Sequence, residues 1–269
     1  MSDLGSAAPL AVVIDDDDDV RHLLVQILTS AGFAPIAVNN GIAGVEAVAT
    51  HRPVITTLDV NMPGIDGFET ARRIREISDT YILLITALAD EADAVLGFSV
   101  GVDDVVVKPF RARELRARVS AILRRVRVPN AGAPAGTAAG EPAGDASPSR
   151  HVLRQDGLVL DLDDHTVTLD GEEIALTRSE FDLLATLLGS ERRVRSKADL
   201  VLTLRDESHL STDIVTESEE RAIEAHITNL RRKLGESAAR PRFIETVRGA
   251  GYRAVSPRRH TQPVPTVAG

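Results

Sequence analysis

The sequence predicts an α/β chain: a doubly wound, five-stranded parallel sheet followed by a smaller α+β domain. Three observations carry this. Short apolar runs alternate with helical patterns over the first half of the chain. A stretch dominated by Ala, Gly and Pro, with almost no large apolar residue, then interrupts the pattern over 127–150. Beyond it, short alternating strands come before the helices and not between them. The length of 269 residues fits about two ordinary domains. The expected division is an N-terminal tail over 1–9, a first domain over 10–126, a flexible linker over 127–150, a second domain over 151–256 and a disordered tail over 257–269. As a coil, the linker would hold its ends about 25–30 Å apart on average.

In the first domain the strand candidates are the apolar runs 11–14, 34–38, 54–58, 81–85 and 105–107. Helical patterns cover 19–31, 41–49, 67–77, 90–99 and 111–126. Successive βα units make a parallel sheet with helices on both faces. All strand carboxyl ends then share one edge, where ligands bind in open α/β sheets. The first strand delivers Asp15 and Asp16, opening a run of aspartates that ends at Asp19. The third runs into Leu58-Asp-Val-Asn-Met-Pro-Gly-Ile-Asp-Gly67, a loop full of turn formers, and delivers Asp59. The fourth delivers Thr86 and Ala87, and the fifth Lys108, followed by Pro109 and Phe110. Singly, these residues read as a helix start, a turn acid, a helix cap and a surface lysine. Together they bring carboxylates, a hydroxyl and an amine to one edge. Clustered carboxylates repel unless a cation sits between them. Oxygen donors without Cys or His favour Mg2+ over zinc, with waters and phosphate oxygens completing the shell. The edge suits phosphoryl chemistry, with Lys108 and Thr86 as donors to phosphoryl oxygens.

Ile14-Asp-Asp16, the loop from Leu58 to Gly67, Thr86-Ala87 and Lys108-Pro-Phe110 resemble, in order and spacing, the receiver domain of bacterial two-component response regulators, a flavodoxin-like fold. The resemblance covers about residues 10–126. It implies that Asp59 accepts a phosphoryl group from a phosphohistidine on a partner sensor histidine kinase. It implies that Asp16, Asp59 and the Asn61 carbonyl ligate Mg2+, with Asp15 acting mainly through a bound water. It also implies that Thr86, Ala87 and Lys108 bind the phosphoryl oxygens, and that Lys108 pairs with Asp59 beforehand. A phosphohydrolase of the haloacid dehalogenase kind would also use Asp59 as nucleophile, but needs a second aspartate two residues on. Asn61 holds that position, so no enzyme is expected.

In the second domain, 158–162 and 166–169 alternate around Asp163-Asp164, and Gly171 turns the chain again. Thr177-Arg-Ser-Glu180 is a capping box opening a helix whose apolar face is Phe181, Leu183, Leu184, Leu187 and Leu188. A second helix covers 197–204. After an acidic loop, a third covers 221–234, with Ile223, Ile227, Leu230 and Leu234 at helical spacing and Gly235 ending it. Its other faces carry Arg221, His226, Thr228, Asn229, Arg231, Arg232 and Lys233, side chains of the types that contact phosphates and base edges in a major groove. A solvated basic helix on a protein-binding surface is the competing reading of this helix alone. The run 243–253, with Arg248-Gly-Ala-Gly-Tyr-Arg253, reads as a hairpin with a glycine-rich turn.

Leu176-Thr-Arg-Ser-Glu-Phe181, His226-Ile-Thr-Asn-Leu-Arg-Arg-Lys-Leu-Gly235 and Thr246-Val-Arg-Gly-Ala-Gly-Tyr-Arg253 resemble the winged-helix effector domain of OmpR/PhoB-type regulators over about residues 152–255. The resemblance implies a double-stranded promoter DNA partner, with the 221–234 helix in the major groove. It also implies a wing over 243–253 that brings Arg248 and Tyr252 to the DNA. The stretch 205–220 takes the place of the family's RNA polymerase-contacting loop, but is long, acidic and without tryptophan.

Charge placement supports this division. The whole chain carries −9, yet residues 221–260 alone carry about +7, so nucleic acid is expected at that end. With no cysteine there are no disulfides and no thiolate metal sites. No run is long enough to span a bilayer and no signal peptide is read, so a cytoplasmic protein without membrane contact is expected.

Two features depart from the family pattern. Val105 stands where the family's switch aromatic lies, three positions before the lysine. Family receivers pair across a face made of the 90–99 helix, the fifth strand and the 111–126 helix. Here Asp104, Glu114 and Arg118 remain at the matching positions, while Ala94, Ser99 and Ser120 have lost the charge. Exposed pairs are worth about 0–1 kcal/mol each, so a weak homodimer is expected. A DNA-binding regulator that acts independently of phosphorylation is the alternative that Val105 raises.

Overall fold

The computed structural model describes residues 8–87, 97–127, 151–205 and 215–256. Residues 1–7 and the expected tail 257–269, most of the 127–150 linker, the greater part of the expected 90–99 helix with Ala94, and positions 206–214 lie outside the described residues.

The first domain contains β1 (Leu10–Ile14), β2 (Ala34–Val38), β3 (Ile55–Asp59), β4 (Tyr81–Thr86) and β5 (Asp104–Val107). They form one sheet in the order β2-β1-β3-β4-β5, every pairing parallel. Among the described residues its helices include α1 (Asp18–Ser30), α2 (Gly41–His51), α3 (Gly67–Arg75) and α4 (Ala112–Arg127). The period-2 alternation of the strands splits the core in two. Ala11, Val13, Ile55, Leu83 and Ile85 pack under Leu24, Ile27 and Leu28 of α1 and Leu115, Val119 and Ile122 of α4. On the opposite face, Val12, Ile14, Leu58, Ile82 and Leu84 pack under Ala47 and Val48 of α2 and Ala71 and Ile74 of α3.

The run of aspartates divides by position. Asp15 directly follows β1 and is fully buried, whereas Asp16 is exposed. Asp17 caps α1, its carboxylate accepting from the backbone N–H groups of Asp19 and Val20. Asp18 and Asp19 lie in the first turn, where acids favour the helix dipole. Asp59 and Thr86 are the last residues of β3 and β4, one position inside the strands and not in the loops where the sequence placed them.

The second domain opens with a four-stranded antiparallel sheet: β6 (Val152–Gln155), β7 (Leu158–Asp161), β8 (Thr166–Leu169) and β9 (Glu172–Glu173). Only β7 and β8 were expected from alternation. Then come α5 (Arg178–Gly189), α6 (Lys197–Arg205), α7 (Glu217–Lys233), β10 (Ile244–Val247) and β11 (Gly251–Ala254). Leu158, Leu160, Phe181, Leu184, Ile223, Ile227, Leu230 and Phe243 fill one core. The Thr177–Glu180 capping box is formed as expected.

The third helix is longer than expected. It starts at Glu217, because Thr216 and Glu219 form a second capping box. Part of what was expected to be an acidic loop is therefore helix. Gly235, at φ +68, follows the Leu234 cap and meets the left-handed geometry that ends such a helix.

The β10–β11 hairpin is tied to the body of the domain. Arg195 and Tyr252 exchange backbone hydrogen bonds of 2.8 and 2.9 Å. The Glu236 carboxylate accepts from the backbone N–H groups of Arg242, Phe243 and Ile244 at 2.6, 2.6 and 3.1 Å, fixing the entry into β10. Charge-assisted bonds of this kind are worth about 1.5–3 kcal/mol. Glu236→Ala is expected to lower the urea midpoint by that order of stability while leaving the denaturant slope unchanged. An unchanged midpoint would show that the turn holds itself.

Candidate functional site

The carboxyl edge of the parallel sheet gathers the expected acids and the lysine. Lys108 follows β5, and its backbone N–H donates to the Thr86 carbonyl at 2.6 Å, locking the two strand ends side by side. Its Nζ reaches across the edge and donates to Asp59 Oδ1 at 2.5 Å and to Asp15 Oδ2 at 3.3 Å. Asp59 is buried at the strand end, 5% exposed. Its Oδ2 accepts the Asn61 N–H at 2.7 Å. Asp15 Oδ1 accepts the Asp17 N–H at 3.0 Å. Thr86 is buried at the end of β4 and Ala87 is exposed beside it.

Burial pushes the Asp15 carboxyl up and outweighs the pull of Lys108 in the other direction. For Lys108, burial pushes down, but the hydrogen bond to Asp59 and the charge of Asp15 prevail and hold the amine above its usual range. An ammonium thus stands where two carboxylates would otherwise repel.

Gly67 shapes the loop. A Cβ there would lie 2.8 Å from Val60 Cα and inside van der Waals contact with the Asp59 carbonyl oxygen. The first turn of α3 can pack against the acceptor strand only without a side chain.

Among the described residues no group of three or more acidic or histidine side chains forms a ready-made metal cage. What is present is the Asp15–Asp59 pair, with Asp16 exposed next to it and Asn61 on the following loop. That all-oxygen donor set fits Mg2+, which binds through one or two carboxylates and retains waters.

The expected DNA-facing residues are divided among three surroundings. Arg221, Thr228 and Arg232 are exposed on α7, and Arg248 is exposed at the hairpin tip. Arg231 is taken up internally: its guanidinium donates to the Ile244 carbonyl at 3.0 Å and Thr246 Oγ1 at 2.8 Å and lies 5.9 Å from the buried Tyr252 ring. Lys233 donates to the buried Glu180 carboxylate at 2.6 Å. His226 and Asn229 are buried against the first domain. His226 Nε2 donates to the Asp103 carbonyl at 3.0 Å, and the ring meets Phe98 edge-on at 4.9 Å. Asn229 Nδ2 donates to the Phe98 carbonyl at 2.7 Å.

This contact between domains went unseen in the sequence. Asp103 is its hub, bonded to Arg75, to the Ile82 N–H at 2.9 Å and to the Ser179 N–H at 3.1 Å. Arg118 joins Asp104 at 2.9 Å to Glu219 at 3.0 Å, and Glu219 also pairs with Arg205. Burial pushes the Glu219 carboxyl up, but the Thr216 amide and the two guanidiniums prevail and hold it below its usual range. Of the residues expected on a pairing face, Arg118 is therefore engaged with the second domain and Asp104 is tied to it through Arg118, while Glu114 lies on α4, one turn before Arg118. Ser179 Oγ and Glu180 Oε1 are buried without a hydrogen-bond partner among the described residues. Each such atom costs about 1–3 kcal/mol.

A five-stranded parallel receiver sheet with an acid–lysine edge, joined to a winged helix, defines a response regulator. Residues 11–120 match the family of the response regulator receiver domain, and residues 171–254 that of the transcriptional regulatory protein C-terminal domain. The chain belongs to the OmpR/PhoB-type response regulators of two-component systems and is a DNA-binding transcriptional regulator, not an enzyme. It is 33% identical over 250 residues to the transcriptional regulatory protein CpxR homolog of Haemophilus influenzae, covering 91% of this chain and 98% of that one. It is 35% identical over 249 residues to AfsQ1 of Streptomyces coelicolor, covering 93% and 99%. It is 33% identical over 246 residues to the DNA-binding response regulator MtrA of Mycolicibacterium smegmatis, covering 91% and 96%. Among solved structures, a mutant of RitR superposes with TM-score 0.67 at 23% identity over 92% of this chain and 99% of that one. Among the described residues no helix is long and apolar enough to cross a membrane.

Proposed function

We propose that Asp59 is the phosphoryl acceptor through which a sensor histidine kinase controls promoter binding by α7 and the β10–β11 wing. The observation that carries this is the Asp59 carboxylate at the β3 end, held 2.5 Å from Lys108 Nζ with Asp15 on the other side of the ammonium. An Asp59 oxygen attacks the phosphorus of the phosphohistidine. The P–N bond breaks, an acyl phosphate P–O bond forms, and the imidazole leaves with a proton. Such transfers demand in-line placement and charge neutralisation more than covalent help. Lys108, already on Asp59, neutralises charge on the incoming oxygens. Thr86, at the neighbouring strand end, supplies a hydroxyl, and Ala87 supplies backbone. Mg2+, held by Asp16, Asp59 and the Asn61 carbonyl with Asp15 acting through water, would supply further charge neutralisation when bound.

On the DNA side, the exposed Arg221, Thr228, Arg232 and Arg248 are the contacts available as the chain stands. His226, Asn229, Arg231, Lys233 and Tyr252 complete the proposed surface. Arg232→Ala and Arg248→Ala are each expected to weaken promoter binding and reduce the slope of log affinity against log salt by about 1. Unchanged affinity and slope in both variants would remove the groove assignment. The residue boundaries given above, a cytoplasmic location, contact with RNA polymerase near 205–220 and weak receiver pairing through Asp104, Glu114 and Arg118 belong to the same proposal.

A regulator indifferent to phosphorylation is the second reading, favoured by Val105. That side chain is half-buried and packs into the core face that includes Leu84, with no ring to move. Promoter affinity before and after acetyl phosphate treatment separates the two. A rise on treatment supports phosphoryl control, and equal affinity supports the second reading.

A further inference from the structure

The contact between α7 and the receiver uses groups of the kind that read DNA. His226 and Asn229 each give an N–H donor to a carbonyl oxygen, of Asp103 and Phe98 respectively. Base edges present acceptors of the same kind to such side chains. The receiver therefore occupies donors that the proposed groove contact would need, and docking and DNA binding through these residues exclude one another.

His226 is the one group in this contact whose charge changes near neutral pH. A carbonyl oxygen only accepts, so Nε2 carries the proton and a single proton satisfies the bond. The ring is 1% exposed and its other flank is the Phe98 edge. The acids facing it are Asp103 and Asp104 from the start of β5 and Glu180 from α5. Each is already matched by a cation: Asp103 by Arg75, Asp104 by Arg118 and Glu180 by Lys233. Glu219, further along α7, is matched by Arg118 and Arg205. An imidazolium would find no water, and the bare oxygen nearest in charge, Glu180 Oε1, belongs to a carboxylate whose charge Lys233 already matches.

We infer that the docked arrangement is a proton-released clasp: protonation of His226 undocks α7 from the receiver without phosphorylation at Asp59. The inference rests on the DNA-facing role proposed for α7 only where it speaks of DNA; the undocking itself does not depend on it. Burial holds the docked imidazole below its ordinary range, and the charges of Asp103, Glu180 and Asp104 oppose this too weakly to restore it. The undocked ring titrates near its ordinary value of about 6.5. Above that value both forms are neutral and docking is intact. As pH falls through it, the undocked form gains a proton that the docked form does not hold. The docked-to-undocked ratio then drops by up to about tenfold per pH unit.

The absence of native cysteine permits a direct test. The exposed Glu46 and Arg240, one in each domain, are changed to cysteine in the full unphosphorylated chain and labelled with a donor–acceptor dye pair. Energy transfer is followed from about pH 8 down to about pH 5.8, above the isoelectric point where low net charge promotes association. Transfer is expected to shift with a midpoint at or below about 6.5. His226→Gln keeps an N–H donor and cannot titrate; it is expected to stay at the docked value throughout. His226→Arg carries a fixed charge and is expected to show the undocked value already at the highest pH. Circular dichroism establishes that each variant is folded. A flat wild-type profile overturns the clasp, as does a His226→Gln profile that titrates like wild type. Promoter affinity measured in parallel keeps the two readings apart. Undocking without DNA binding at either pH removes the DNA reading alone, and DNA binding with unchanged energy transfer removes the clasp alone.

Discussion

Asp59→Asn is expected to abolish phosphoryl uptake completely. Wild-type protein treated with acetyl phosphate and Mg2+ should gain a single acid-labile phosphoryl group by intact mass, and the variant none. The carboxamide has the shape of the carboxylate but lacks the anionic oxygen that attacks phosphorus. Its nitrogen would also face either the Lys108 ammonium or the Asn61 N–H, both donors to the present carboxylate. The fold should survive, because Lys108 retains Asp15 as a partner. One carboxylate then serves one ammonium where two shared it before. A melting temperature close to wild type, together with no phosphoryl gain, is the expected pair of results. Phosphoryl uptake retained in the variant, on Asp15 or elsewhere, would move the acceptor away from the β3 end.

The second large effect is expected at a residue without any functional group. Gly67→Ala places a methyl against the Asp59 carbonyl and Val60 Cα, both backbone, so no side-chain rotation relieves the clash. Overpacking of this kind costs about 1–3 kcal/mol. The displacement falls on the acceptor strand end itself, so phosphoryl uptake should slow by at least about tenfold while Asp59, Lys108 and Asp15 are all present. Urea unfolding and the rate of uptake from acetyl phosphate measure the two halves. Unaltered kinetics despite lost stability would mean that α3 shifts as a body and leaves the acceptor in place.

The receiver was largely legible because its central strands β1, β3 and β4 are buried on both faces. A parallel strand of that kind reads as an uninterrupted apolar run, and the residue ending each run lands at the functional edge. Asp15, Asp59, Thr86 and Lys108 could be read from that alone. The second domain was less legible where its strands are short and polar. Arg154 and Gln155 in β6, and the whole of β9 with Glu172 and Glu173, give no alternation to detect. The start of α7 was missed because Thr216 and Glu219 sit in an acidic stretch, although the Thr-x-x-Glu spacing of a capping box was present. The burial of His226 and Asn229 had no local signal. A polar side chain beside an apolar helical stripe reads as solvent- or DNA-facing, and nothing in the sequence announces that a carbonyl 123 or 131 residues away will meet it.

The bridge from Asp104 through Arg118 to Glu219 has a consequence for how the protein would respond to its own abundance. Because both ends belong to one chain, the second domain confronts the receiver face as an intramolecular competitor whose local concentration does not fall on dilution. In the receiver pairing proposed above, a second receiver would have to compete with that local ligand and first displace it. Such pairing would be thermodynamically linked to release of α7: whatever frees the helix would also free the pairing face. The expected outcome is a threshold response, with little assembly at low copy number and a steep rise once the intramolecular competitor has been set aside.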